Sequence, residues 1–185
     1  MKSRFQTFKL LGWLLAAGLV SGPAMAQSTA TASADALATI LRPITITKTT
    51  DMNFGKVVPS SAAGTVVLSP TNSRTPDGGV TIMTTQTGTV AAASFTVEGE
   101  AAATYTLLLP AADVTLASPS SAVMQVTNFT SDVGTGAGEG LLSGTASTPG
   151  TAGTQLIHVG GKLKVGTNQV AGIYTGSVSV TVAYN

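Results

Sequence analysis

Apolar and polar positions alternate along much of this chain, most regularly over its last fourteen residues. Side chains two apart share one face of an extended strand. Valine and tyrosine occupy one face of this segment, while serine, threonine and alanine occupy the other. The pattern predicts a long terminal strand over residues 173–184. Its apolar face, with the glycine that precedes it, consists of Gly172, Tyr174, Val178, Val180, Val182 and Tyr184.

The same period of two recurs in short segments throughout the chain, separated by Gly, Pro, Ser and Thr. Regular short strands of this kind predict an all-β domain, here an immunoglobulin-like antiparallel β-sandwich. Residues 69–79 and 131–153 are rich in turn formers and are predicted to be loops. The predicted strands are 39–49, 52–58, 65–69, 80–84, 94–99, 104–109, 113–117, 124–129, 155–165 and 173–184.

Residues 1–26 have the parts of a secretory signal peptide. Three basic residues precede an apolar run at 10–20, and an Ala-x-Ala site follows, with Ala24 and Ala26 at the predicted cleavage position. The run is too short for a transmembrane helix, which needs about twenty apolar residues. We therefore expect a secreted protein of the periplasm or cell surface of a Gram-negative bacterium, not membrane-spanning once mature.

Removal of residues 1–26 leaves 159 residues, enough for one domain with a substantial core. Residues 27–37 are mostly Ser, Thr and Ala and are predicted to form a flexible N-terminal extension. Residues 38–185 are predicted to form a single domain. With no cysteine, that domain has no disulfide to stabilise it.

The charge content argues against nucleic-acid binding. Charged residues make up 9% of the chain, against about 25% in a typical protein. The basic residues after position 26 are scattered and form no stripe, so nucleic acid is not an expected partner.

The sequence offers little catalytic chemistry, with one histidine and no thiol. His158 lies in a predicted strand, where a surface or hydrogen-bonded structural role is expected. Glu98 and Glu100 are close in sequence at a strand end, where solvated turn charges are common. No catalytic residue, metal site or cofactor is predicted, and we expect the protein not to be an enzyme.

Three stretches carry a resemblance to a known family. They are Asp51-Met-Asn-Phe-Gly-Lys-Val-Val-Pro59, the middle strands from Ala93 to Pro110, and Leu163-Lys-Val-Gly166 with Gly172-Ile-Tyr-Thr-Gly176. Together they resemble the bacterial exported family catalogued as domain of unknown function 4402. The layout is also similar to the spore coat protein U family of archaic chaperone-usher pilins. The family label carries no activity, but the similarity to pilins implies a sandwich that lacks one strand. The N-terminal extension of a neighbouring subunit would complete it.

Residues 31–46 contain the candidate donor strand. The favoured donor face is Ala34, Ala36, Ala38 and Ile40, with residues 43–49 as the subunit's own first strand. The alternative is that 39–49 is simply the first strand of the subunit. In the terminal strand, Tyr184 is expected to bury its ring as an anchor, and Gly172 to permit a close backbone approach or a bend.

The expected function is therefore an exported structural subunit of a surface filament or coat, of the kind found in adhesive fimbriae. Its expected partners are copies of itself or related subunits, and the resemblance implies a periplasmic chaperone and an outer-membrane usher. The alternative is a monomeric periplasmic or secreted β-sandwich that binds carbohydrate or protein through its loops.

Overall fold

The fold is known from a computed structural model that describes residues 28–83, 89–135, 137–141 and 152–185. The chain divides into two units, Met1–Leu37 and Ala38–Asn185. The predicted signal peptide, with Ala24 and Ala26, lies outside the described residues. In the first unit, residues 28–37 form no strand and their side chains are exposed.

In the described part of the second unit, every regular element is a β-strand, and all strand pairings are antiparallel. The all-β prediction is therefore confirmed. The strands are β1 (Thr45–Thr50), β2 (Val57–Leu68), β3 (Arg74–Ile82), β4 (Ala93–Glu100), β5 (Thr104–Leu108), β6 (Val114–Ala117), β7 (Val123–Ser131), β8 (Gly134–Thr135), β9 (Ala137–Leu141), β10 (Ala152–Val165) and β11 (Thr181–Tyr184).

The strands form two sheets. In the larger sheet the order is β1-β4-β10-β2-β3, with β7 also pairing β10, β6 and β8. Strand β10 organises this sheet, because its first half pairs with β4 and its second half with β2 and β7. The smaller sheet has the order β11-β5-β9.

One hydrophobic core joins the two sheets. It contains alternate residues of β4 and β10 from the larger sheet, such as Val97 and Ile157, together with Tyr105 and Leu107 of β5 from the smaller one. All four side chains are fully buried. Each of these strands buries every second residue, as the period of two in the sequence predicts.

Several predicted boundaries were wrong. The first strand, Thr45–Thr50, lies close to the favoured 43–49, whereas the longer alternative 39–49 was wrong, because residues 28–44 form no strand. The predicted strand 52–58 is mostly irregular, because Gly55 has a φ of 69° and regular pairing resumes only at Val57. From there β2 continues through residues 60–64, which lie between the predicted strands 52–58 and 65–69.

Both predicted loops contain strands. Within 69–79, β3 starts at Arg74, after a tight turn at residues 70–72. Among the described strands, β3 pairs with β2 alone, and an edge strand tolerates Pro76, whose missing N–H would break a central ladder. Within 131–153, β8 pairs with β7 and β9 pairs with β5. Turn-forming residues are common in these strands, so composition alone concealed them.

Candidate functional site

An open groove of about 890 Å³ runs along the second unit, between two stretches that lack regular pairing. Residues 50–57, which connect β1 to β2, form its first rim, and residues 169–178, which lead into β11, form its second rim. Lys48 lies beside the first rim. The floor is apolar and consists of core side chains from four strands: Ala93, Phe95, Leu116, Met124, Val126, Leu163 and Val165. The floor is thus part of the hydrophobic core, and five of its seven side chains are already buried.

The first rim is held by a turn and by an arginine. Asn53 pairs with Ala91, and its Oδ1 accepts a hydrogen bond from the Gly55 N–H at 2.8 Å. The Arg74 guanidinium donates to the Phe54 carbonyl at 2.7 Å and to the Met83 carbonyl at 2.8 Å. These bonds fix the rim from the side of β3. Phe54 is buried and belongs to the core cluster.

The second rim has its own hydrogen bonds. The Tyr174 hydroxyl donates to the Val170 carbonyl at 2.6 Å and accepts from Gln169 Nε2 at 2.8 Å. Thr175 then pairs with Ala117 at the end of β6. Exposed apolar side chains on this rim include Val170, at 54% exposure, and Ile173, at 78%.

The two glycines of the terminal motif have different surroundings. The chain bends at Gly172, as expected, but a Cβ there would lie an ordinary 3.6 Å from Ser118 Cβ. At Gly176 a Cβ would lie 2.5 Å from the Thr115 carbonyl oxygen, which is too close for any side chain. The close backbone approach predicted for Gly172 therefore occurs at Gly176.

The predicted terminal strand is only partly paired. Strand β11 pairs with β5, but residues 176–180 pair with no strand in the described chain. The expected apolar face is present, because Tyr174, Val178, Val180, Val182 and Tyr184 are all half-buried while the residues between them are exposed. Val178 also lines the groove. Residues 176–180 therefore continue the apolar face of β11 without its pairing.

Tyr184 anchors the end of the chain by its hydroxyl more than by its ring. The hydroxyl accepts from the Glu100 N–H at 2.7 Å and donates to the Arg42 carbonyl at 2.7 Å. Glu100 is buried, and its Oε2 accepts from the Arg42 N–H at 3.0 Å. We call these three residues the Tyr184 latch. It joins β11 and β4 to the segment just before β1.

The candidate donor residues Ala34, Ala36, Ala38 and Ile40 are exposed and lie in no strand. Ile40 is 87% exposed. Such exposure is unusual for branched apolar side chains, which are normally among the most buried. It is consistent with a segment that lacks its binding partner.

Titratable side chains lie apart from the groove floor. His158 Nδ1 is 2.9 Å from Asp132 Oδ2, and the His158 N–H donates to the other oxygen of the same carboxylate at 3.0 Å. Glu98 is exposed whereas Glu100 is buried in the latch. Nowhere in the described part of the chain do three His, Asp or Glu side chains meet as a metal site requires.

Fold and groove together define a class: an antiparallel all-β domain with a groove of apolar floor along one side. Residues 44–184 match the model of the family described as a domain of unknown function (DUF4402), and the chain belongs to this family. No curated protein and no solved structure matches the chain. Among the residues described, no helix is long and apolar enough to cross a membrane.

The sequence reasoning missed Arg74, which fixes the first rim. Arg74 lies in residues 69–79, which were predicted to be a loop, so no contact of its side chain was expected. One signal was available: in a chain with few charged residues, an arginine that follows Asn53-Phe-Gly, twenty residues after Phe54, is a candidate for satisfying carbonyl groups of an irregular turn.

Proposed function

We propose that this protein is an exported, non-catalytic structural subunit of a surface filament or coat, assembled by strand donation. In this proposal the second unit is an immunoglobulin-like sandwich lacking one strand. The extension of a neighbouring copy would bind in the open groove, with Ala34, Ala36, Ala38 and Ile40 facing its floor. A periplasmic chaperone and an outer-membrane usher would serve the assembly.

The groove itself carries the proposal. A folded monomer normally shields its sheet edges and closes its core. Here an apolar floor lies in an open groove between residues 50–57 and residues 169–178, and residues 176–180, at the end of the second rim, pair with no strand in the described chain. An added strand would satisfy the backbone of the second rim and cover the floor in one step, which is β-augmentation.

The extension has properties that fit this groove. An extended chain rises about 3.3 Å per residue, so residues 34–40 would cover about 20 Å of groove. The alanine side chains on its inner face are small enough to lie between two rims over an already packed floor. Each backbone hydrogen bond formed would contribute about 0.5–1.5 kcal/mol, and the apolar surface covered would add to it.

A point substitution on each face of the extension tests the proposal. Ala36→Asp places a carboxylate on the face that enters the groove, while Ser33→Asp places the same charge on the opposite face. We expect gel filtration and negative-stain microscopy to show polymers for the wild type and for Ser33→Asp, and monomers for Ala36→Asp. The reason is that an unpaired carboxylate against an apolar floor is strongly unfavourable.

Two outcomes would contradict the proposal. Polymers of normal length from Ala36→Asp would mean that this face does not enter an apolar groove. Folded monomers from all three chains, at any concentration, would favour the alternative of a monomeric sandwich that binds carbohydrate or protein through its loops.

A further inference from the structure

The alanine face of the extension poses a problem of register. Residues 30, 32, 34, 36 and 38 are all alanine and all lie on the same side of an extended chain. Sliding the strand by two residues places one alanine where another was. A repeating apolar face therefore specifies register weakly. If the extension binds a groove, another feature must select its position.

Asp35 is the one charged residue between positions 28 and 41. It alternates with Ala34 and Ala36, so it points away from the floor when the alanine face points toward it. A carboxylate at this position would lie at the surface, beside a rim of the groove. Two residues of slip would move it by about 6.6 Å, beyond the reach of an ion pair.

The groove offers one suitable cation. Its charged lining residues are Lys48, Asp51 and Lys56. Lys48 Nζ lies 2.6 Å from Asp51 Oδ1, so these two charges already neutralise each other. Lys56 is exposed on the first rim and has no ion pair with any described residue.

We propose that Asp35 of one subunit pairs with Lys56 of the next, and that this contact sets the register of the bound extension. The inference rests on the proposed function, because it requires the extension to occupy the groove. The pair is a specificity contact and contributes modestly to affinity, since exposed ion pairs are weak. Its value is that it is present in one register and absent in the registers two residues away.

Charge reversal tests the pairing in the full chain. We compare Asp35→Lys, Lys56→Glu and the double variant by the protein concentration needed for half-maximal polymer formation. Each single variant places like charges together, so this concentration should rise by about two- to fivefold or more at low salt. The double variant should return to the wild-type value. All four chains should converge at about 1 M salt, where such exposed charges are screened.

Lys48→Glu is the matched control on the same rim. It reverses the same charge and also leaves Asp51 without its partner. Combined with Asp35→Lys it should restore assembly less than Lys56→Glu does, because the proposal places Asp35 beside Lys56 and not beside Lys48. Equal restoration by Lys48→Glu, or no restoration by Lys56→Glu, would overturn the proposed register contact.

The Ala36→Asp variant separates this inference from the proposed function. If Ala36→Asp abolishes assembly but the charge reversals do not compensate, strand donation stands and Asp35 does not set the register. If Ala36→Asp assembles normally, the alanine face does not enter the groove and both proposals fail.

Discussion

Removing one oxygen atom from Tyr184 should destabilise this domain measurably. Tyr184→Phe keeps the half-buried ring and deletes only the hydroxyl. That hydroxyl accepts the Glu100 N–H and donates to the Arg42 carbonyl, each at 2.7 Å. The substitution therefore cuts the Tyr184 latch without creating a cavity.

The expected cost comes mostly from Glu100. This residue is only 8% exposed, so its N–H cannot readily turn to water when the phenol oxygen is gone. A buried donor left unsatisfied costs about 1–3 kcal/mol. The Arg42 carbonyl is exposed and can bind water instead, so the loss of its hydrogen bond adds little. We expect a total loss of about 1–3 kcal/mol in the free energy of unfolding.

Urea unfolding of monomer isolated by gel filtration measures this loss. With a slope of about 1–3 kcal/mol per molar urea, the midpoint should fall by about 1 M. Monomer is required because assembly would stabilise the folded chain by mass action. Tyr174→Phe is the control, since its hydroxyl also makes two hydrogen bonds but near the exposed residues of the second rim.

The amide of Glu100 gives a local readout of the same change. Its hydrogen exchange should become faster in Tyr184→Phe and stay unchanged in Tyr174→Phe. An unfolding midpoint equal to that of the wild type, with unchanged exchange at Glu100, would refute the latch. A larger loss in Tyr174→Phe than in Tyr184→Phe would place the anchor of the terminal segment at the second rim instead.

Three further predictions follow from single contacts. Gly176→Ala should destabilise the monomer by about 1–3 kcal/mol because its Cβ would meet a β6 carbonyl oxygen at 2.5 Å, whereas Gly172→Ala, with 3.6 Å of clearance, should be nearly neutral in the same urea assay. Arg74→Met should lower the free energy of unfolding by about 2–3 kcal/mol, because three carbonyl groups lose a charged donor. It should also speed amide exchange in the first rim, and unchanged exchange rates there would contradict the positioning role of Arg74. Burial, and then the charge of Asp132, raises the pKa of Tyr105. The unfolded chain therefore releases this proton first, and the free energy of unfolding should fall as pH rises above about 10. A Tyr105→Phe variant whose stability falls equally steeply with pH would count against this.

Strands with a strong period of two were predictable from the sequence. Strands β4, β5 and β10 bury alternate side chains against the core, and their apolar residues recur at every second position. In these strands the sequence pattern directly shows which side chains are buried. Boundaries were still displaced by a few residues, because a strand ends where its partner ends and the sequence does not show the partner.

Strand β3 shows why other elements could not be predicted. Its sequence contains Pro76, Gly78 and Gly79, which indicate a turn when taken alone. A Cβ at Gly79 would collide with the Ala62 carbonyl oxygen of β2, so glycine is required there by the close approach of the two strands. Gly78 has a φ of 71°, which other residues rarely adopt. These are tertiary requirements, and residue propensities do not report them.

The terminal segment differs, because its apolar face was predicted correctly whereas the extent of its strand pairing was not. Alternation shows which side chains face a core, but it does not show that a neighbouring strand is present. Residues 176–180 alternate as regularly as β10, yet they pair with no strand in the described chain. Selection for alternation in a segment without a partner makes sense if the partner arrives later.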